Sequence, residues 1–235
     1  MTTRAVMSSL FIALVIAPCM AYAPKAHAAD ARLAKLPPAL SKRPLPGLGR
    51  PLSGAEAIKA GKYLELLIKW QKSHRLLGST NPQWLIDNVL LDSLCFLAAV
   101  PPEARKIIDV GSGAGVPGIP IAIVRPEVAF TLVEPRRRRV SFLATAIREL
   151  ELRNTEVVES RVEALIGTHA GQFDVAVMRC TGDLDDLLPA VFPLLAAKGV
   201  VVASGRPDEA GPEGSVITVD LGGGAHRRLR RRVRP

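Results

Sequence analysis

The sequence predicts a doubly wound α/β fold, in which a mostly parallel sheet follows a helical region. Three observations support this prediction. From Lys106 onward, short apolar runs typical of buried strands alternate with segments of helical periodicity. The first of these strands leads directly into a glycine-rich loop and then a proline, which suits the start of a helix. The 235 residues are 48% hydrophobic, which is enough to bury the core of such a sandwich.

The composition excludes several other classes of protein. The apolar fraction is too high for a disordered chain, and three cysteines are too few for a scaffold built on disulfides. The chain has 31 basic and 22 acidic residues, so its net charge is +9. This excess favours an anionic partner.

Residues 1–28 have the pattern of an export signal. Arg4 provides a positive start, a short apolar run follows, and an A-x-A cleavage pattern ends at Ala28. The same residues are equally compatible with upstream sequence joined to the gene by a wrongly assigned start, and both interpretations remain open. The apolar run is short and is interrupted by Pro18, so we expect no stable membrane span.

The remaining chain divides into three parts. Residues 29–53 contain five prolines, which predicts a linker without a core of its own. We expect one folded domain over residues 54–222. Residues 223–235 contain six arginines and no acidic residue, which predicts a basic tail that is either simply solvated or free to bind phosphate. The run Arg136–Arg139 is open to the same two interpretations.

The domain begins with two predicted helices. Ser53 and Glu56 form the pattern of a capping box, and apolar residues at helical spacing follow them as far as Trp70. A second helical pattern extends from Trp84 to Leu97 and ends before two prolines. Together these helices predict a helical cap at the amino terminus of the domain.

Six strands and three helices follow in alternation, which predicts right-handed crossovers and a mostly parallel sheet. Helices are expected after Pro117, after Pro135 and, with two prolines inside it, from Leu184 to Leu195. The predicted strands are Lys106–Val110, Ala129–Val133, Glu156–Val158, Phe173–Met178, Gly199–Ala203 and Val216–Val219.

A ligand site is expected where the first two strands end, because ligands of such sheets bind beyond the carboxyl ends of the strands. Asp109 precedes three glycines at alternate positions, and Glu134 ends the second strand. A carboxylate at Glu134 can accept both ribose hydroxyls of an adenosine, as found in a nicotinamide dinucleotide or in S-adenosylmethionine. Val116 stands where the dinucleotide fingerprint needs glycine, and Asp109 suits a cationic ligand end, so the details favour S-adenosylmethionine.

Four segments of the chain resemble the RsmG (GidB) family, bacterial methyltransferases that modify guanine N7 in 16S ribosomal RNA. These segments are Leu66–Trp70, Leu90–Leu94, Ile108–Pro120 and Glu159–Glu163, and the resemblance covers roughly residues 56–205. It implies a Rossmann-like class I methyltransferase fold with S-adenosylmethionine as cofactor. It also implies a partner in ribosomal RNA or the small ribosomal subunit, no DNA partner, no metal, and a cytoplasmic location, with export as the alternative if residues 1–28 act as a signal.

The resemblance also implies roles for individual residues. Arg161 and Arg179 are candidates for positioning the substrate, or alternatively for structural ion pairs with Asp92 or Glu163. No other catalytic residue is implied, because guanine N7 carries an in-plane lone pair and needs no proton removed. The loop and the resemblance together predict cofactor contacts at Asp109, Gly111, Gly113, Gly115, Val116, Glu134, Val162, Glu163 and Arg179.

The chain departs from the family pattern mainly on the side expected to face the nucleotide. The departures lie at Arg75–Gly78, at Asn88-Val89 and at Cys180-Thr181. They leave two alternatives open. One is a divergent methyltransferase that acts on a small molecule, and the other is an inactive module that binds a nucleoside or RNA.

Overall fold

The computed structural model describes residues 36–179, 184–204, 215–222 and 225–235. The predictions for residues 1–28, and the departure at Cys180-Thr181, lie outside the described residues. Within these ranges, a seven-stranded sheet carries helices on both faces.

The strands are β1 (Lys106–Val110), β2 (Ala129–Val133), β3 (Thr155–Val158), β4 (Phe173–Arg179), β5 (Leu195–Ser204), β6 (Ser215–Gly222) and β7 (Ala225–Val233). They form a sheet in the order β3-β2-β1-β4-β5-β7-β6. The first five strands of this order are parallel, whereas β7 is antiparallel to both of its neighbours. The prediction of a doubly wound, mostly parallel sheet is therefore confirmed.

Strand β7 corrects the prediction of a basic tail. It lies between β5 and β6, with Ala203 opposite Arg230 and Val200 opposite Val233. Leu229 is fully buried in the core. Acidic side chains of the domain form ion pairs with arginines of this strand, as Asp185 does with Arg230. These ion pairs offset the repulsion between the arginines.

The helices preceding the sheet pack on one face of it. Helix α1 (Gly54–His74) begins with the predicted capping box, in which Glu56 N–H donates to Ser53 Oγ and Ser53 N–H donates to the Glu56 carboxylate. A second, irregular helical stretch extends over residues 82–98 and contains α2 (Pro82–Leu85) and α3 (Asp92–Cys95). These elements share one apolar cluster with alternate residues of the central strands.

The segment predicted as a linker also packs into this cluster, as far as the structure describes it. Leu40, Leu45 and Leu52 are buried among the residues of α1 and α3. A Cβ atom on Gly47 would clash with the carbonyl oxygen of Leu94. Residues 36–53 therefore form part of the domain, because their leucines are buried in its core. The high proline content had favoured a linker.

The remaining helices complete the two layers. Helices α4 (Gly118–Val124) and α5 (Arg137–Glu149) pack against α1. The short helix α6 (Ile166–His169) and α7 (Leu184–Val191) cover the opposite face, where Val201 and Ala203 of β5 are buried. No helix within the described residues is long and apolar enough to cross a membrane.

Candidate active site

A cleft of about 590 Å³ opens at the carboxyl ends of β1, β2 and β4. The strand order reverses at this point, because β1 lies between β2 and β4. The turn after α1, the glycine loop, the start of α5 and the end of β4 all contribute to the walls. The lining residues are Leu76, Leu77, Gly78, Gly111, Ser112, Gly113, Ala114, Val116, Glu134, Pro135, Arg136, Arg139 and Arg179.

The glycine loop that follows β1 requires glycine for two different reasons. Gly111, Gly113 and Gly115 have φ angles of +73°, +56° and +86°, a region that other residues rarely adopt. A Cβ on Gly115 would lie 2.5 Å from the side chain of Ile119, whereas a Cβ on Gly113 would meet nothing closer than 3.5 Å. Gly115 therefore permits close packing of the loop, and Gly113 leaves the backbone accessible from the cleft.

Glu134 lies at the floor of the cleft, and the backbone holds its carboxylate in place. Oε2 accepts a hydrogen bond from Gly113 N–H at 3.0 Å, and Oε1 accepts one from Arg136 N–H at 2.9 Å. The Arg139 guanidinium lies 3.6 Å from Oε2. Each oxygen keeps further lone pairs, so this carboxylate can also accept hydroxyl donors from a ligand.

Asp109 lies beneath the loop and not among the cleft-lining residues. It is completely buried, and Oδ2 accepts a hydrogen bond from Gly118 N–H at 3.0 Å. Burial raises the pKa of Asp109 to about 7. This position differs from the expected contact with a cationic ligand end. The carboxylate instead connects the end of β1 to the start of α4.

Tyr63 supports the loop from the opposite side, a contact that the sequence motifs do not predict. Its hydroxyl donates to the carbonyl oxygen of Ala114 at 2.7 Å, and its side chain is fully buried in α1. A buried tyrosine hydroxyl needs a hydrogen-bond partner. A tyrosine within an apolar helix face is thus the feature of the sequence that could have indicated this contact.

Arg179 reaches the cleft from the end of β4. Its Nε atom lies 3.2 Å from Oδ2 of Asp92, one of the two ion-pair partners considered from the sequence. Arg227 of β7 contacts the other oxygen of the same carboxylate through its own Nε. Burial raises the pKa of Asp92, and the positive charges of the two arginines oppose that shift.

Five predicted site residues lie outside the cleft lining, namely Asp109, Gly115, Arg161, Val162 and Glu163. Arg161, Val162 and Glu163 follow β3, at the start of a 3-10 helix. Val162 packs with Val110 and Val133, which are the last residues of β1 and β2. These three residues are therefore near the same edge of the sheet, and their contact with an adenine ring stays a prediction. Of the other predicted residues, the cleft brings together Gly111, Gly113, Val116, Glu134 and Arg179.

Two solved structures define the class of this fold. A SAM-dependent methyltransferase from Aquifex aeolicus superposes with a TM-score of 0.51 at 15% identity, covering 66% of this chain and 94% of that one. A methyltransferase from Geobacter sulfurreducens superposes with a TM-score of 0.52 at 16% identity, covering 72% of this chain and 87% of that one. The chain thus has the Rossmann-like fold of methyltransferases.

The family follows from the sequence comparisons. The sequence model of GidB, described as rRNA small subunit methyltransferase G, matches residues 56–207, and the chain belongs to this family. The resemblance inferred from the motifs is confirmed.

Curated relatives carry the name Ribosomal RNA small subunit methyltransferase G. The one from Stutzerimonas stutzeri is 40% identical over 59% of this chain and 64% of its own length. The one from Polynucleobacter asymbioticus is 36% identical over 69% of this chain and 76% of its own length. The one from Yersinia pseudotuberculosis is 43% identical over 54% of this chain and 59% of its own length. The matches to the first and third of these span less than two thirds of the relative.

Proposed function

We propose that this chain transfers a methyl group from S-adenosylmethionine to guanine N7 in 16S ribosomal RNA. The observation that carries the proposal is the position of Glu134 beside the glycine loop, in one cleft of a GidB-family chain. We place this activity in the cytoplasm, because ribosomal RNA and the cofactor are found there.

The residues of the cleft fit the cofactor. Glu134 is held by two backbone N–H groups and presents a carboxylate that suits the paired hydroxyls of a ribose. The loop from Gly111 to Gly115 offers backbone that a methionine moiety can approach closely, because glycines leave the space open. When bound, S-adenosylmethionine supplies a methyl group that the positive sulfur activates for transfer.

The chemistry then asks the protein mainly for orientation. Guanine N7 attacks with an in-plane lone pair, so no general base is required. Holding the base in line with the methyl group supplies much of the rate. The base becomes cationic during transfer, and a carboxylate or carbonyl oxygens near it would stabilise that charge.

The entrance to the cleft supports an RNA substrate. We define the basic rim as Arg136, Arg137 and Arg138, which are exposed at the start of α5. None of the three forms an ion pair within the described residues, whereas Arg139 pairs with Glu134. Positive charges at a helix amino terminus are unfavourable for the helix. Their presence beside the cleft is therefore better explained by contact with phosphates.

The double variant Arg137→Gln/Arg138→Gln tests the role of the rim. We expect about tenfold weaker binding of small-subunit RNA, and a salt dependence whose slope falls by about one to two, because each phosphate contact releases a counterion. Filter binding at several salt concentrations measures both effects. The matched control is Arg105→Gln/Arg153→Gln, which removes the same charge at exposed positions preceding β1 and β3, on the opposite edge of the sheet.

Methylation assays with base-resolved product analysis complete the test. The proposal predicts N7-methylguanine in small-subunit RNA incubated with the full chain and S-adenosylmethionine. Equal loss of RNA binding in both double variants would contradict the role of the rim. Absence of that product from naked RNA and from small subunits alike would contradict the proposed function.

A further inference from the structure

The carboxylate of Asp92 is buried between two arginines that come from different strands. Asp92 belongs to α3 and is 1% exposed. Arg179 ends β4 and pairs with Oδ2, whereas Arg227 belongs to β7 and pairs with Oδ1. We call these three residues the arginine clamp. It joins the helical layer to two strands of the sheet.

The geometry of the clamp directs Arg179 towards the cleft. The Arg179 atom nearest to Asp92 is Nε, which lies 3.2 Å from Oδ2. The Arg179 side chain is 21% exposed and lines the cleft. The ion pair with the buried carboxylate restrains Arg179 at this wall of the cleft, and its planar guanidinium suits a fork-like contact with an anionic group.

The charges of the clamp do not cancel. Two guanidinium groups face one carboxylate, which leaves one positive charge in excess. Arg227 is only partly exposed and does not line the cleft, whereas Arg179 does. Because Arg227 also neutralises Asp92, the positive charge of Arg179 remains available to a ligand.

We infer that Asp92 and Arg227 are positioning residues, which hold Arg179 so that it binds an anionic oxygen group in the cleft. This inference rests on the proposed function. The group is either the carboxylate of the cofactor or a phosphate of the RNA, since both present paired oxygens to a guanidinium. The inference also gives the arginine-rich strand β7 a role at the site, because β7 carries Arg227 to the clamp.

A double-mutant cycle on the full chain tests the inference. The variants are Asp92→Asn, Arg179→Gln and their combination. Calorimetry measures the Kd of S-adenosylmethionine, and steady-state assays measure KM and kcat for small-subunit RNA. We expect Asp92→Asn to weaken the binding of one ligand by about tenfold, which is within the range of interaction energies between residues of one ion-pair network. A change in the Kd of the cofactor shows that Arg179 binds the carboxylate of the cofactor. A change confined to the KM of RNA shows that Arg179 binds a phosphate.

The combined variant separates positioning from a structural role. If Asp92 acts through Arg179, adding Asp92→Asn to Arg179→Gln changes the affected constant by less than about twofold. Arg227→Lys, which keeps the charge, is expected to retain more of the wild-type affinity than Arg227→Gln does. The control is Glu56→Gln, which breaks the exposed ion pair with Arg50 at the start of α1 and lowers the Tm without changing either ligand constant.

Two results would overturn the inference while leaving the proposed function intact. One is an effect of Asp92→Asn that is equally large with and without Arg179→Gln. The other is a folded Asp92→Asn protein with unchanged Kd, KM and kcat. If Asp92→Asn does not fold, the same cycle with Arg227→Gln decides the question. A wild-type chain that neither binds the cofactor nor methylates RNA would instead contradict the proposed function itself.

Discussion

Two sides of the cleft are held in place by different kinds of interaction. On the glycine-loop side, backbone N–H groups bind the carboxylates of Glu134 and Asp109. On the side formed by β4 and β7, the guanidinium groups of Arg179 and Arg227 bind the carboxylate of Asp92. The first side is formed by residues 109–136, which are close together in the sequence. The second joins three segments that are far apart in the sequence.

This difference determines what each side can tolerate. The loop side depends on backbone conformation, so an added Cβ atom should harm it more than a change in ionic strength does. The clamp side depends on charge and on side-chain length. Substitutions that remove a charge should therefore harm it more than small changes of side-chain volume do.

Gly115→Ala should be the most damaging single-methyl change on the loop side. Its φ of +86° disfavours alanine, and the new Cβ would lie 2.5 Å from Ile119. We expect a loss of about 3 kcal/mol in the free energy of unfolding, which combines backbone strain with overpacking. Urea denaturation measures this loss.

Gly113→Ala is the matched control for this prediction. The φ angle is also positive, but the nearest atom to the new Cβ lies 3.5 Å away. We expect a loss of about 1 kcal/mol from backbone strain alone. Equal losses in the two variants would show that the contact with Ile119 does not determine the cost at Gly115.

The pH dependence of stability should reveal the buried carboxyl group of Asp109. Its pKa is raised from 3.8 to about 7 in the folded protein, because burial disfavours the charge. Between these values the folded state binds more protons than the unfolded state, so this group's contribution to stability falls as the pH rises. We expect a decrease of about 2 kcal/mol between about pH 5 and pH 7, relative to Asp109→Asn.

The measurement compares urea unfolding of the wild type and Asp109→Asn across this range. The variant removes the titrating group and retains an oxygen that can accept from Gly118 N–H. Parallel stability curves for the two proteins would show that Asp109 is ionised in the folded state at all these pH values. That result would contradict the raised pKa of Asp109.

Tyr63→Phe should give the smallest effect. It removes the hydroxyl that donates to the carbonyl oxygen of Ala114 and leaves the ring in place. We expect a loss of about 1 kcal/mol in stability, and a reduced affinity for S-adenosylmethionine because the loop is less firmly held. Ser141→Ala, which removes an exposed hydroxyl that donates within α5, should leave the affinity unchanged.

The loop side could be predicted from the sequence because its determinants are local. The bounds of β1 and β2 agree with their apolar runs, and Glu134 lies in the cleft as its place after β2 predicts. The inward orientation of Asp109 could not be predicted, since it depends on the path of the loop between Gly111 and Gly118. The supporting role of Tyr63 depends in the same way on how α1 packs against the loop.

The clamp side could not be predicted as a unit because its parts are far apart in the chain. The motifs indicate Arg179, and Asp92 enters as an alternative ion-pair partner, but the sequence predicts Arg227 to lie in a basic tail that is either solvated or free to bind phosphate. An arginine-rich strand lacks the apolar alternation on which strand prediction depends. Only the partners that the fold provides, such as Asp92 and Asp185, make such a strand acceptable within the sheet.

The most direct test is a calorimetric titration of the full chain with S-adenosylmethionine and, separately, with NAD. We predict a one-to-one complex with S-adenosylmethionine that Glu134→Gln weakens by about tenfold, because a ribose would lose a charged acceptor. No binding of NAD is expected. Tighter binding of NAD than of S-adenosylmethionine, or no binding of either compound to the folded wild type, would contradict the assignment of this cleft.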